Sequence, residues 1–254
     1  QIKIYLSLLI MILSYGSASA ETSQSIEDQC QSLSRLMYSY HAEHLTKRPP
    51  DQTFARRVSD LMLRNLDGQK TLILEPETQE LRAQIERFAL DPKRSCTFFN
   101  ELLERRRQWA IAMSKYVDKA LSDPTLKLDR ALKINTDPDQ RDRPKDRQEQ
   151  DSLRHMLIQW QLAIYISSGE TMAEAKRKLS KRYSLNVRRT AEQTFSDQYA
   201  QFLNSYATAF DPHTSYFSPE MLEEFRISIK LSLEGIGATL QQRDGYTRVM
   251  DIVT

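Results

Sequence analysis

Glycine is scarce in this sequence, with six among 254 residues, and cysteine is scarcer still, with two. An all-β sandwich or barrel needs many tight turns, and glycine is the residue that such turns most often require. Charged residues make up 28% of the chain and hydrophobic residues 40%, which is enough apolar material for a sizeable core. The composition therefore predicts a globular and mostly α-helical protein.

The chain also has no large excess of positive or of negative charge. The 36 basic and 34 acidic side chains leave a net charge of +2, far below the excess that phosphate-dominated nucleic-acid binding requires. We therefore predict no nucleic-acid partner. Two basic clusters, at 105–107 and 176–182, are interpreted as solvated helix faces and are assigned no function.

No apolar run is long enough to span a bilayer comfortably. The run from Ile4 to Leu13 follows the single charge of Lys3 and leads to Ala-Ser-Ala at 18–20. A charged start, a short apolar centre and small residues at the end are the parts of a secretory signal peptide. We predict a signal peptide over residues 1–20, a mature chain that begins near Glu21, and no stable membrane span.

Export to an oxidising compartment makes the two cysteines, Cys30 and Cys96, candidates for a disulfide. Both lie in segments predicted as helices. A bridge between them would close a loop of about 66 residues and stabilise the fold by roughly 4 kcal/mol. Two free, buried thiols are the alternative, and the sequence leaves both open.

Apolar side chains recur at helical spacing along most of the chain up to Phe210. Capping residues and proline positions divide this pattern into separate helices. The predicted helices lie near residues 25–40, 51–67, from 76 onward, 92–121, 153–166, 171–183 and 190–210. Residues 136–150 contain two prolines and dense mixed charge, and we predict a polar linker or exposed loop there.

The pattern changes after Phe210. Residues 211–214 are a cluster of turn-forming types, and Ser218-Pro219 starts a short helix. After Glu234 the apolar residues alternate with a period of two on both sides of Asp244-Gly245. An Asp-Gly pair between two alternating segments predicts a β-hairpin.

Three parts follow the leader in this interpretation. We predict a multi-helix domain over 21–210, a connector turn and short helix over 211–231, and the first strands of a β-containing domain over 232–254. The chain has no initiator methionine and stops within the apolar alternation. We therefore expect it to be a fragment.

Residues that could bind a metal or carry out catalysis are few. His41 and His44, with Glu43 between them, could share a metal, but the sequence offers no partner pair with suitable spacing. We interpret them as surface histidines and predict no metal and no cofactor. His213 and Asp211 could belong to a Ser-His-Asp triad, but the sequence contains no nucleophile elbow such as Gly-x-Ser-x-Gly. We therefore predict a turn role for both residues and no catalytic residue.

The segment Gly235-Ile236-Gly237-Ala238 leads directly into a predicted strand. Glycines at such a position let successive backbone N–H groups converge on a carboxylate, for instance the C-terminus of a peptide. The following strand, Thr239, Leu240 and Gln241, could then pair with that peptide by β-augmentation. A bulge or a tight entry turn is the alternative.

Three stretches together resemble the tail-specific proteases, which are periplasmic carboxyl-terminal processing serine peptidases. They are residues 211–219 (Asp-Pro-His-Thr-Ser-Tyr-Phe-Ser-Pro), 231–238 (Leu-Ser-Leu-Glu-Gly-Ile-Gly-Ala) and 244–247 (Asp-Gly-Tyr-Thr). Residues 66–68 and the segment 168–183 also resemble the helical N-terminal domain of this family. Leu72-Ile73-Leu74 departs from the family, which usually has an aromatic residue after Leu-Asp, and the 137–150 segment has no clear match.

The resemblance implies a helical N-terminal domain followed by a truncated PDZ domain, with Gly235, Ile236, Gly237 and Ala238 as the carboxylate-binding loop. The family's nucleophilic serine and its lysine base lie beyond the PDZ domain, so this fragment is expected to be inactive alone. Expected partners are protein substrates, read through apolar C-termini, and an adaptor protein on the helical domain. The expected location is the periplasm, or the inner membrane if the leader stays uncleaved. The alternative is a non-catalytic helical module that docks an adaptor or another partner protein.

Overall fold

The computed structural model describes residues 28, 30–91, 97–129, 131–230, 238–243 and 246–252. Within these ranges the chain is mainly α-helical, as predicted, with one two-stranded sheet near its C-terminal end. Helix α1 covers residues 30–43. The other helices are α2 (Gln52–Asp67), α3 (Glu75–Leu90), α4 (Thr97–Ser122), α5 (Arg147–Ser167), α6 (Met172–Glu192), α7 (Phe195–Thr208) and α8 (Pro219–Lys230).

Local capping explains where several of these helices begin. Four helices start at a side chain that accepts a hydrogen bond from a backbone N–H of the first turn: Asp51, Asp146, Thr171 and Thr194. Thr171 and Thr194 form complete capping boxes with Glu174 and Asp197. The predicted end of α6 near Tyr183 is wrong, because neither glycine nor proline interrupts the helix before Glu192.

Two hydrophobic clusters hold the helices together. The first joins α1, α2, α3, α7 and the start of α4, and its largest buried side chains include Phe54, Phe99, Phe202, Tyr206 and Phe210. The second joins α4, α5 and α6 through Met113, Val117, Leu121, Ile158, Leu162, Ala175 and Leu179. Because the 26-residue helix α4 contributes to both clusters, it couples the two halves of the helical domain.

The loop after α2 is organised by the carboxylate of Asp67. This buried group accepts backbone N–H bonds from Thr71 at 2.9 Å and from Leu72 and Ile73 at 3.0 Å each. It also forms an ion pair with Arg143. The first turn of α3 is thereby brought against the end of α2.

The prediction of a polar linker or exposed loop over 136–150 is confirmed for most of the segment, whose side chains are largely exposed, but the ion pair of Arg143 attaches its middle to the helical domain. Pro144 is buried, and its carbonyl oxygen accepts a hydrogen bond of 2.8 Å from the backbone N–H of Glu75. A short 3₁₀ helix covers Pro138–Gln140, and α5 already begins at Arg147. The segment contacts the helical domain through the Arg143–Asp67 ion pair and the Pro144 carbonyl oxygen, while most of its other side chains stay exposed.

The C-terminal end contains the predicted hairpin shape. Strand β1 (Ala238–Arg243) pairs antiparallel with β2 (Tyr246–Ile252), while Asp244 and Gly245 of the predicted turn lie outside the described residues. The register shifts between Thr239 and Leu240, so one additional residue of β2 bulges out of the ladder.

None of the described helices is long and apolar enough to cross a membrane. Residues 1–20, the predicted signal peptide, lie outside the described residues.

Candidate functional site

The connector that leads to the C-terminal hairpin starts with a turn closed by Asp211. Its carboxylate accepts a hydrogen bond of 2.8 Å from the backbone N–H of His213 and one of 2.5 Å from the hydroxyl of Thr214. The Thr214 hydroxyl, then the His213 N–H, then His44, lower the pKa of Asp211 below its ordinary value. Asp211 and the backbone of His213 therefore have the predicted turn role.

The prediction that His41 and His44 are surface histidines is wrong. Nδ1 of His41 lies 2.7 Å from the carbonyl oxygen of Arg48, so this nitrogen carries the proton in the neutral ring, and Nε2, at 2.6 Å, accepts from the Tyr206 hydroxyl. Burial raises the pKa of Tyr206, which keeps that hydroxyl protonated. His44 Nε2 lies 2.9 Å from Asp211 and 2.8 Å from the Thr214 hydroxyl.

Both histidines thus attach α1 to α7 and the turn that follows it. The sequence could not reveal this, because Tyr206 and Thr214, the partners on that side, lie more than 160 residues away along the chain. Among the residues that the structure describes, no group of three histidine, cysteine, aspartate or glutamate side chains is arranged to hold a metal ion.

The connector is held against α7 as far as Tyr216. The Thr208 hydroxyl donates to the carbonyl oxygen of Thr214 at 3.2 Å, and the Tyr216 N–H donates to Oδ1 of Asn204 at 3.2 Å. Arg48 closes the other side by donating to the carbonyl oxygen of Phe210 at 2.8 Å. Because Pro219 then starts α8 only three residues after Tyr216, the helical domain fixes where α8 begins.

Beyond this connector the described surface becomes apolar and exposed. Five side chains of α8 are 37% to 60% exposed: Met221, Leu222, Phe225, Ile227 and Ile229. Five of the hairpin are 48% to 75% exposed: Leu240, Tyr246, Val249, Met250 and Ile252. Apolar side chains grouped in this way mark a surface that contacts another part of a protein or a partner.

Strand β1 carries the described part of the predicted peptide site. Ala238 opens the strand and is partly buried, and Thr239, Leu240 and Gln241 follow as exposed residues. Among the described strands β1 pairs with β2 alone, so its other edge has unpaired backbone groups there. Gly235, Ile236 and Gly237 lie outside the described residues, and their carboxylate-binding role stays a prediction.

The first helix contains Cys30, one of the two cysteines of the predicted disulfide. Cys30 is disulfide-bonded, which excludes a free thiol at this position. Cys96 lies outside the described residues, so its pairing with Cys30 stays a prediction.

These features define a helical domain whose last helices hold the start of a connector, followed along the chain by an apolar helix and a two-stranded sheet. Residues 36–220 match the family model for the tail specific protease N-terminal domain. That match covers well over half of the chain, so the chain belongs to this family, as its sequence motifs predict. The match ends within the first turn of α8, and the hairpin lies beyond it.

The tail-specific protease of Haemophilus influenzae is similar to this chain, with 29% identity over 217 residues. The alignment covers 83% of this chain but only 30% of that relative. The chain therefore spans about a third of the length of this curated relative.

Proposed function

We propose that this chain is the N-terminal region of a periplasmic, carboxyl-terminal processing serine endopeptidase that acts on proteins with apolar C-termini. The observation that carries the proposal is the exposed hairpin at the end of a clamped connector, in a chain of the tail-specific protease family. On this proposal residues 232–254 begin a PDZ domain. The helical domain is the scaffold that positions it.

The proposed recognition uses the free edge of β1. A substrate's C-terminal segment would add a strand there, with main-chain hydrogen bonds along Thr239, Leu240 and Gln241. The backbone N–H groups from Gly235 to Ala238 would bind the terminal carboxylate, because consecutive N–H groups that point to one side attract an anion. The serine nucleophile and its lysine base would be supplied by sequence after Thr254, and no residue of this chain is assigned a catalytic role.

Cleavage by an extended protein tests this proposal. The coding sequence after Thr254 would be recovered, and the longer protein incubated with a substrate that ends in apolar residues or with the same substrate ending in two aspartates. We expect selective loss of the apolar-tailed substrate, no loss with Gly237→Asp, and no cleavage by residues 21–254 alone. Equal cleavage of both substrates, or cleavage by the short chain, would contradict the proposal.

A second function, a non-catalytic module that docks an adaptor protein, is favoured by a different surface. Tyr38 on α1 is 74% exposed, and Leu45 just after the helix is 96% exposed. Both lie far in sequence from the hairpin. If the extended protein cleaves neither substrate, a docking role for the helical domain is the function that remains.

A further inference from the structure

Helix α6 lines a cationic groove against α5. Arg177, Lys181, Leu185 and Arg189 follow one another at intervals of four residues, and such residues share one face of a helix. With Tyr165 of α5 they line a cavity of about 390 Å³. Four of its lining residues besides Lys178 are cationic: Arg177, Lys181, Arg182 and Arg189.

A second cavity, of about 430 Å³, adjoins the first and shares Tyr165 and Arg182 with it. Its wall includes the indole of Trp160, which is 38% exposed, and the ring of Tyr183. Gln161 is also in this wall, and its Nε2 donates to the Tyr183 hydroxyl at 3.2 Å. The groove therefore combines a positively charged section with an aromatic and amide-bearing section.

The positive charge of this groove is only partly balanced by neighbouring carboxylates, one of which, Glu174, lies one turn before Arg177 and Lys178 on α6. Lys178 forms an ion pair with Glu170, and Arg188, which does not line the cavity, forms a long one of 3.9 Å with Glu192. Within the described part of the chain, no carboxylate lies at ion-pair distance from the other four cations of the cavity. Beyond Leu179, the remaining turns of α6 bury no side chain fully, so their surface is open to a ligand.

The groove lies beside the hairpin. The ammonium group of Lys181 is 5.8 Å from the centre of the Tyr246 ring, at the start of β2. A cation at this distance from an aromatic ring makes a favourable contact. One lining residue of the cationic cavity is therefore shared between the groove and the strand pair.

We propose that this groove binds acidic side chains of an extended peptide segment. The link to protease substrates rests on the function proposed above: the acidic segment would precede the C-terminal residues that pair with β1. A peptide suits this groove better than a membrane surface, because the cations line concave cavities with an aromatic wall and amide groups. A lipid surface is flat and needs basic and apolar side chains on a protruding face.

The test measures binding of a fluorescent peptide that has several glutamates upstream of an apolar C-terminus. Three further peptides have glutamine in place of glutamate, an amidated C-terminus, or both changes. The variant is Arg177→Gln/Arg189→Gln, in which both replaced residues are exposed. The matched control is Arg56→Gln/Arg64→Gln, which removes the same charge from two side chains of α2 that are 58% and 69% exposed and line neither cavity of the groove.

We expect the acidic peptide to bind about tenfold more weakly to the Arg177/Arg189 variant, since two partly screened ion pairs are lost. Its affinity for the control variant should stay within about twofold of the wild type. The glutamine peptide should bind both variants like the wild type. In a protein whose only substitution is Trp109→Phe, so that Trp160 is its only tryptophan, peptide binding should also change the tryptophan emission.

Three outcomes would overturn the proposal: equal affinity for the glutamate and glutamine peptides, an equal loss in both double variants, or binding of anionic phospholipid vesicles but not of the acidic peptide. The amidated peptides separate this proposal from the one above. If amidation has no effect while glutamate still strengthens binding, the proposed recognition of the peptide C-terminus is contradicted and the proposed acidic-peptide groove is supported. If amidation weakens binding while glutamate has no effect, only the proposed acidic-peptide groove is contradicted, and recognition of the C-terminus is supported.

Discussion

Asp67 shows how one side chain can organise a whole segment of this fold. Its carboxylate is 1% exposed and satisfies three backbone N–H groups as well as the guanidinium of Arg143, which is itself 9% exposed. A buried charge is tolerated when it is paired and fully hydrogen-bonded, and it is costly when its partner is removed. Asp67 and Arg143 are therefore expected to act as a unit.

Replacing this carboxylate should destabilise the protein strongly. Asp67→Ala leaves Arg143 without its carboxylate partner and three backbone N–H groups without their acceptor, and we expect a loss of about 3–5 kcal/mol in the free energy of unfolding. Chemical denaturation followed by circular dichroism measures it. Asp139→Ala is the control, since Asp139 is 63% exposed and pairs with the exposed Arg64 at 3.4 Å; a change of about 0.5 kcal/mol or less is expected there. Similar losses in both variants would contradict this account.

Asp211 predicts a dependence of stability on pH. Its hydrogen bonds lower the pKa of the folded state below the ordinary carboxyl value of 3.8, so the charged form is favoured in the folded protein. Such a group contributes stability that is fully present above the unfolded pKa and is lost as the pH falls through the folded pKa. Asp211→Asn removes this contribution at every pH.

Thermal unfolding of wild type and Asp211→Asn at several pH values checks the prediction. The wild type should have the higher Tm at pH values above about 5, and the difference should shrink steadily as the pH falls below about 4. Comparing the two proteins at each pH cancels the effect of the other carboxylates. A difference in Tm that stays constant down to the lowest pH would show that the charge of Asp211 does not contribute.

The sequence predicts the local role of Asp211 but not that of Asp67. The turn role of Asp211 was predictable, because its partners are two and three residues away. Asp67 was predicted only as part of a helix end. Its decisive partner, Arg143, lies 76 residues further along the chain, and no local pattern indicates such a pairing.

At the scale of elements, α1 depends on attachments to the rest of the helical domain. His41 and His44 bind it to α7 and the Asp211 turn, and Leu33 and Met37 bury it in the first cluster. Cys30, at the start of the helix, adds a disulfide. If its partner is Cys96, the bridge holds α1 to the start of α4.

Reduction of this bridge should therefore loosen α1. For a loop of about 66 residues we expect reduction to lower the free energy of unfolding by up to about 4 kcal/mol. Denaturation with and without a reductant measures the effect, and Cys30→Ser/Cys96→Ser should no longer respond to the reductant. Mass spectrometry of a non-reduced digest identifies the linked peptides. A digest that contains both cysteines as free thiols would contradict the predicted pairing.

The elements also show which features the hydrophobic periodicity of the sequence predicts and which it does not. It predicted most helices, since their buried residues recur at helical spacing, and it predicted the hairpin from the alternation around Asp244-Gly245. For residues 136–150 the predicted exposed loop is confirmed in most positions, but composition could not reveal the pairing of Arg143 with the buried Asp67. The basic residues of α6 are largely exposed, as the solvated-face interpretation has it, but the sequence could not reveal that several of them line one cavity with Tyr165 of α5.

At the scale of the whole molecule, packing connects the first helices of the domain to the connector after α7. Helix α4 belongs to both hydrophobic clusters, and α7 holds the connector that leads to α8. The exposed apolar side chains of α8 follow directly after this held connector. The family match identifies the helical part of this arrangement, whereas the function of the hairpin depends on the proposal that it begins a PDZ domain.

The measurement that tests this central claim most directly is the affinity of the extended protein for a peptide with an apolar C-terminus, as the free acid and as the amide. We predict that the free acid binds at least about tenfold more tightly, because the amide cannot make charge-assisted hydrogen bonds to a backbone nest. Gly237→Asp should abolish this preference, and Thr247→Asp, which adds the same charge on the exposed β2 strand, should retain it. Equal affinity for the acid and the amide would contradict a C-terminus-reading role for this hairpin.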